Sequence, residues 1–273
     1  MTLRVTVFGL GEAGGAIAAD LARAGVSVQA YDPQPVATPT GVVRCVDPTA
    51  AVVDADVVCA LTASGDALDA IAQSLLAIPS GAIYADFSTS AAGLKQRLGA
   101  IAAEMNLPFV DVALMSPVPG KGLRTPALAS GNGARRFIEL FAPLGMPLEH
   151  AGDRAGLAET RKLLRSVVIK GFAALLIESM HAANAAGLTE ETWSNLVRQF
   201  AVADEAFLRR IVEGTGAHSL RRLHEMEATA DMLTEFGIDP TMTRSTVESL
   251  RRIDGGQTLP DLPARSDPHP KKG

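Results

Sequence analysis

The chain has 273 residues, 25 Lys and Arg against 30 Asp and Glu (net charge −5), and 47% hydrophobic but only 4% aromatic residues. This composition is globular and long enough for one large core or two smaller ones, and it lacks the basic block that a nucleic-acid surface needs. No uninterrupted apolar run approaches the ~18–20 residues of a membrane span, and the start of the chain lacks the charged and apolar regions of a signal peptide, so the expectation is a soluble, cytoplasmic protein with neither a nucleic-acid nor a membrane partner.

In chain order, the first half alternates valine-rich strands with alanine-rich helices. Strands are predicted at 3–8, 26–31, 42–46, 57–61, 82–86, 108–112, 127–130 and 146–150. Helices are predicted at 13–24, 65–77, 91–104 and 132–141. Strands that read as continuous apolar runs between helices argue for a parallel sheet covered on both faces. After Gly152 the strand signals stop. A long proline-free helix is predicted from 154 to 186, with Gly187 as its C-terminal stop. Shorter helices follow at 190–200, 204–213, 219–236 and 241–252. The predicted division is therefore 1–151 for the α/β domain, 152–254 for an all-helical domain, and 255–273 as a Pro- and Gly-rich disordered tail. Cys45 and Cys59 lie in strand-like runs without metal-like spacing and read as buried, reduced thiols. The histidines form no HxxH pattern, so no metal site is expected.

Between the first strand and the first helix stands G-x-G-x-x-G: Gly9, Leu10, Gly11, Glu12, Ala13 and Gly14. In that context Gly9 permits a tight turn, Gly11 allows backbone to approach a pyrophosphate, and Gly14 lets helix pack on strand. The helix start then offers N–H groups and a partial positive charge to phosphates. Asp32, at the end of the second strand, is placed to accept hydrogen bonds from an adenine-ribose diol. Its carboxylate would repel a 2′-phosphate, and Pro33, Gln34 and Pro35 follow instead of a basic residue. NAD is therefore the expected cofactor, with NADP the other candidate.

Three further segments, ADFSTS at 85–90, FVDVALMSPVPGKG at 109–122 and GDRAGLAETRKLLRSVVIKG at 152–171, share the order and spacing of a known pattern. With the glycine loop, they resemble the 3-hydroxyisobutyrate/6-phosphogluconate dehydrogenase superfamily, the β-hydroxyacid dehydrogenases. The C-terminal part resembles the 6-phosphogluconate dehydrogenase-like branch with a short helical domain. The resemblance implies a Rossmann doubly wound α/β sheet followed by an all-helical C-terminal domain, with the active site in the crevice between them. It places the nucleotide loop at Gly9–Gly14 and cofactor contacts at Leu61, Thr62 and Thr89. Ser88, Ser116 and Pro117 are implied near the substrate, and Lys162 as the catalytic lysine. The chain departs from the family at Arg165 and Ser166, where Asn is usual, and at Ser116-Pro117-Val118-Pro119, where Ser-Gly-Gly is usual. Ile169 stands where 6-phosphogluconate dehydrogenase has a glutamate, which implies a reaction without decarboxylation.

Hydride exchange at a carbinol carbon needs a group that moves the hydroxyl proton, and a lysine can do so if burial and nearby cations lower its pKa. Arg161 and Arg165 flank Lys162 in sequence. A helix turns ~100° per residue, so Ser166 shares nearly the same face as Lys162 and Lys170 lies at its margin. Ser166 is expected to hydrogen-bond substrate and Lys170 to attract a carboxylate. The Ser116–Lys121 segment reads equally as a rigid anion-binding loop or as a structural turn. His218, Arg221 and Arg222 read as a solvated helix face. The reading is an NAD(P)-dependent dehydrogenase acting on a small hydroxy acid or polar alcohol, working as a homodimer. Its rivals are an imine or ketone reductase and a non-catalytic NAD(P)-binding regulator.

Overall fold

The computed structural model describes residues 2–264. Residues up to Ser166 form one compact unit and those from Val167 onward a second.

The first unit is built on eight strands: β1 (Arg4–Phe8), β2 (Ser27–Tyr31), β3 (Val42–Arg44), β4 (Val57–Ala60), β5 (Ile83–Asp86), β6 (Phe109–Leu114), β7 (Ala127–Ser130) and β8 (Leu148–Gly152). They form one sheet in the order β3-β2-β1-β4-β5-β6-β7-β8. Helices α1 (Glu12–Arg23), α2 (Pro48–Val52), α3 (Ala67–Ala72), α4 (Ala92–Glu104) and α5 (Ala134–Phe141) connect them. Alternate residues of one strand feed two different cores. Val5, Val57, Cys59, Ile83 and Ala85 join α1 and α5 on one face. Phe8, Val58, Ala60 and Tyr84 join α2, α3 and α4 on the other. Both faces are apolar because both are covered, which is the doubly wound arrangement the valine runs predict.

The sheet departs from a uniformly parallel one at β6 and β7, which pair antiparallel. Parallel neighbours need a long crossover, usually a helix. The 115–126 connection holds only a short 3₁₀ turn, Gly122–Arg124, so the chain reverses. The helix predicted at 65–77 is divided into a 3₁₀ turn, α3 and a second 3₁₀ turn. Near its break the Ser74 hydroxyl donates back to the Ala70 carbonyl at 3.1 Å, a bond that competes with helix continuation. The prediction missed α2, although Asp47 caps it by accepting from the Thr49 N–H at 3.1 Å and Pro48 follows in its first turn. Cys59 is buried and Cys45 half-buried, and both are free thiols.

The long helix α6 (Leu157–Ala185) begins in the first unit and ends in the second. Gly187 ends it in a left-handed conformation (φ +72°), with the Leu188 N–H bonded to the Ala183 carbonyl at 2.8 Å. Four helices follow: α7 (Thr189–Phe200), α8 (Glu205–Ala217), α9 (Ser219–Glu235) and α10 (Thr241–Asp254). Glu178 on α6 caps α10, accepting from the Met242 and Thr243 N–H groups at 2.7 and 2.9 Å. Arg221 pairs with Glu225 and Arg222 bonds Thr215, so both are used within this unit. The segment after α10 runs back to α8, where Arg209 donates to the Pro263 carbonyl. The rest of the tail predicted as disordered, 265–273, lies outside the described residues. Among the described residues no helix is long and apolar enough to cross a membrane.

Candidate functional site

The loop after β1 is shaped by three glycines with different constraints. Gly9 adopts φ +86°, and a Cβ there would lie 2.5 Å from the Leu61 carbonyl oxygen. A Cβ on Gly14 would fall 1.9 Å from the Gly9 oxygen, so only glycine lets α1 meet the turn. A Cβ on Gly11 would meet nothing within 4 Å. Gly11 is the N-cap of α1 and offers no side-chain cap to the first-turn amides of Glu12 and Ala13. The Leu10 side chain is buried in the core, and its N–H donates to Asp32 Oδ2 at 2.7 Å. The other Asp32 oxygen accepts the Gln34 N–H at 2.8 Å.

These residues rim a cavity of about 440 Å³ lined by Gly9, Gly11, Asp32, Leu61 and Thr62, among others. Thr62 Oγ1 is buried there with no hydrogen-bond partner among the described residues. An open wall at Gly11, an uncapped helix start and an orphaned hydroxyl are what a phosphate-bearing dinucleotide would complete. Behind the rim, the Arg44 guanidinium donates to the carbonyls of Asp32 (2.8 Å), Gln34 and Val36. It is thereby committed to holding the 32–36 loop.

A second cluster forms where α6 starts. The Lys162 amine donates to Thr89 Oγ1 at 2.7 Å and lies 3.4 Å from Glu159 Oε2. Its side chain is only 15% exposed. Burial pushes the Lys162 pKa below the ordinary lysine value; the Glu159 carboxylate opposes that and Lys95 reinforces it. Burial likewise pushes the Glu159 carboxyl above its ordinary value, against the pull of Lys162 and Lys95. The flanking arginines do not supply the nearby cation. Arg161 pairs with Glu149 at 3.1 Å, and Arg165 donates to the Met115 carbonyl at 2.6 Å.

Beneath this cluster lies a buried charge network. Asp86 and Asp111 are direct neighbours in the β5–β6 register. Lys95 of α4, with no exposed surface, bridges them at 2.6 and 3.4 Å. Asp111 Oδ2 also accepts the Glu159 N–H and the Ser130 hydroxyl, both at 3.1 Å, and Ser130 accepts the Ala158 N–H at 2.9 Å. These bonds fasten the first turn of α6 to the sheet and satisfy two of its free amides. Sequence reasoning missed Lys95 and Glu159. Lys95 carried a readable signal, since it shares the apolar stripe of α4 with Leu98 and Ala102. A lysine on a core-facing stripe needs a buried partner.

The remaining expected residues are scattered. Ser88 is 1% exposed and its hydroxyl donates to Asp86 at 2.9 Å, so it belongs to the buried network. Ser116 accepts from the Lys121 amine at 3.0 Å, and Pro117 is exposed. Within that loop the Lys121 and Gly122 amides both donate to the Val118 carbonyl at 2.9 Å, and the Val118 side chain enters the core. These two amides therefore close a structural turn. Ser166 is half-buried one turn after Lys162, while Lys170 is exposed on the part of α6 within the second unit.

Residues 4–121 match the family described as the NAD binding domain of 6-phosphogluconate dehydrogenase, and residues 183–253 match the domain of unknown function DUF1932. An uncharacterized 28.5 kDa protein from Methanothermus fervidus is 28% identical over 146 residues, 54% of this chain and 57% of that protein. The chain thus spans little more than half the length of this curated relative. A conserved protein of unknown function, whose structure is described as similar to 3-hydroxyacid dehydrogenases, is 28% identical, with a TM-score of 0.60 over 93% of this chain and 97% of that one. An imine reductase variant from Myxococcus stipitatus, in complex with NAD+, shares the fold at a TM-score of 0.78 and 15% identity, over 94% of this chain and 95% of that one. The chain is therefore similar to the NAD binding domain of 6-phosphogluconate dehydrogenase over residues 4–121 and to DUF1932 over residues 183–253, an NAD-binding domain followed by a DUF1932 domain.

Proposed function

We propose that this protein is an NAD(P)-dependent oxidoreductase that exchanges hydride with a small hydroxy acid or related polar alcohol, with Lys162 as the proton carrier. The observation that carries the reading is the environment of Lys162. The amine is nearly buried, its pKa is lowered chiefly by that burial, and Thr89 fixes its direction. When bound, the dinucleotide supplies or accepts the hydride. Gly9, Gly11, the first-turn amides of α1, Asp32, Leu61 and Thr62 would hold it. In oxidation the neutral Lys162 amine takes the hydroxyl proton as the carbonyl forms. In reduction the ammonium gives a proton to the forming alkoxide and offsets its charge.

Asp32 supports a preference for NAD, because a 2′-phosphate beside its carboxylate would be repelled and Arg44 is held by three carbonyls. Replacing Asp32 with Ala is expected to weaken NADH binding more than NADPH binding in fluorescence titrations. A larger loss for NADPH would place the ribose contact elsewhere. The apolar residues exposed on α6, α7 and α8, Phe172, Ile177, Trp193 and Leu208 among them, give a second copy of the chain a surface to cover.

Imine reduction is the second reading, favoured by the fold shared with imine reductases. A panel that offers hydroxy acids with NAD and cyclic imines with NADH separates the two. Turnover of hydroxy acids supports the first, and turnover of imines alone would replace it with the second.

A further inference from the structure

Glu159 stands in the first turn of α6, one turn before Lys162, with no exposed surface. Its Oε2 lies 3.4 Å from the Lys162 amine, and its Oε1 is buried without a hydrogen-bond partner among the described residues. Its backbone N–H is tied to Asp111 on β6, so the carboxyl cannot be carried away by fraying of the helix start. The charged groups that face this pair are Lys95 from α4 and Asp111 from β6; Asp86 from β5 stands behind Lys95. Lys95 is already shared between Asp86 and Asp111. Glu159 is therefore the acid within ion-pair distance of Lys162.

We propose that Glu159 is a positioning residue for Lys162: its buried carboxylate holds the amine against Thr89 and sets the pH at which that amine exchanges its proton. The proposal rests on Lys162 being the proton carrier. Two opposed effects act on the amine. Burial favours the neutral form, and the adjacent carboxylate favours the ammonium. With Glu159 in place the ammonium persists to higher pH and is ready to give its proton to an alkoxide. The N–H bond then breaks, the electron pair stays on nitrogen, and water returns the proton. Without the carboxylate, burial and Lys95 act with only Asp111 opposing them.

The test needs no substrate. The full-length protein is labelled with trace acetic anhydride across a pH series, and acetylation at Lys162 is read by peptide mass spectrometry, with the exposed Lys170 as internal control. In Glu159→Gln, which keeps shape and removes charge, the Lys162 midpoint is expected to fall by about one pH unit or more. NADH binding should be retained and Lys170 unmoved. An unchanged Lys162 midpoint in a folded Glu159→Gln protein overturns the proposal. Should that variant not fold, the reciprocal measurement uses Lys162→Met with carboxyl-13C glutamate. One glutamate signal should then titrate at higher pH than in wild type, and its failure to move also overturns the proposal. Undiminished turnover in Lys162→Ala would remove the proton carrier instead. That result is distinct, because the labelling midpoints of wild type and Glu159→Gln are read without turnover.

Discussion

Gly11, at the cap of α1, and Gly14, in its first turn, stand three positions apart, yet their missing side chains serve different ends. At Gly14 an added methyl would overlap the Gly9 oxygen, so Gly14→Ala should cost at least about 2–3 kcal/mol in chemical denaturation, the range of overpacked sites or beyond. At Gly11 the methyl would enter the open cavity, so Gly11→Ala should change stability by no more than about 1 kcal/mol. It should nonetheless weaken NADH binding at least tenfold. Unaltered binding in Gly11→Ala would move the pyrophosphate away from this loop. At this scale much was legible, because glycine types and spacing report backbone needs directly. The surroundings of Lys162 were not. Sequence neighbours on a helix diverge in direction, so Arg161 and Arg165 turn to Glu149 and Met115. Glu159 and Lys95, one of them from a distant helix, supply the charges instead.

Among elements, the junction of β5, β6, α4 and α6 concentrates the energetics. The β-register sets Asp86 beside Asp111, two buried carboxylates whose repulsion is tolerable only with a cation between them. Lys95→Met leaves both acids without that cation, and a loss of about 3–5 kcal/mol is expected in denaturant unfolding. A stability within error of wild type would mean that the network does not hold the junction. The strands and α6 were legible from valine runs and from a long stretch ended by Gly187. The reversal at β7 was not, since alternation of apolar residues reports burial and is silent on strand direction. The two compact units divide inside α6, after Ser166. The reason is local: Ser130 and Asp111 bind the first amides of α6 and fold its first turns with the sheet.

For the molecule as a whole, the first unit by itself holds both the cavity beside the glycine loop and the Lys162 cluster. The NAD-binding domain and the cofactor class were legible because phosphate binding depends on backbone geometry that fixes residue types. The substrate was not, because the partners of side chains such as Ser166 and Lys170 are not written in spacing. The proposed reaction turns on the proton chemistry of one amine, so the most direct measurement is steady-state turnover of Lys162→Ala, beside NADH binding, on whichever substrate the wild type accepts. The prediction is a fall in turnover of about 10²-fold or more with NADH affinity retained. A variant that binds NADH and turns over as fast as wild type would contradict it.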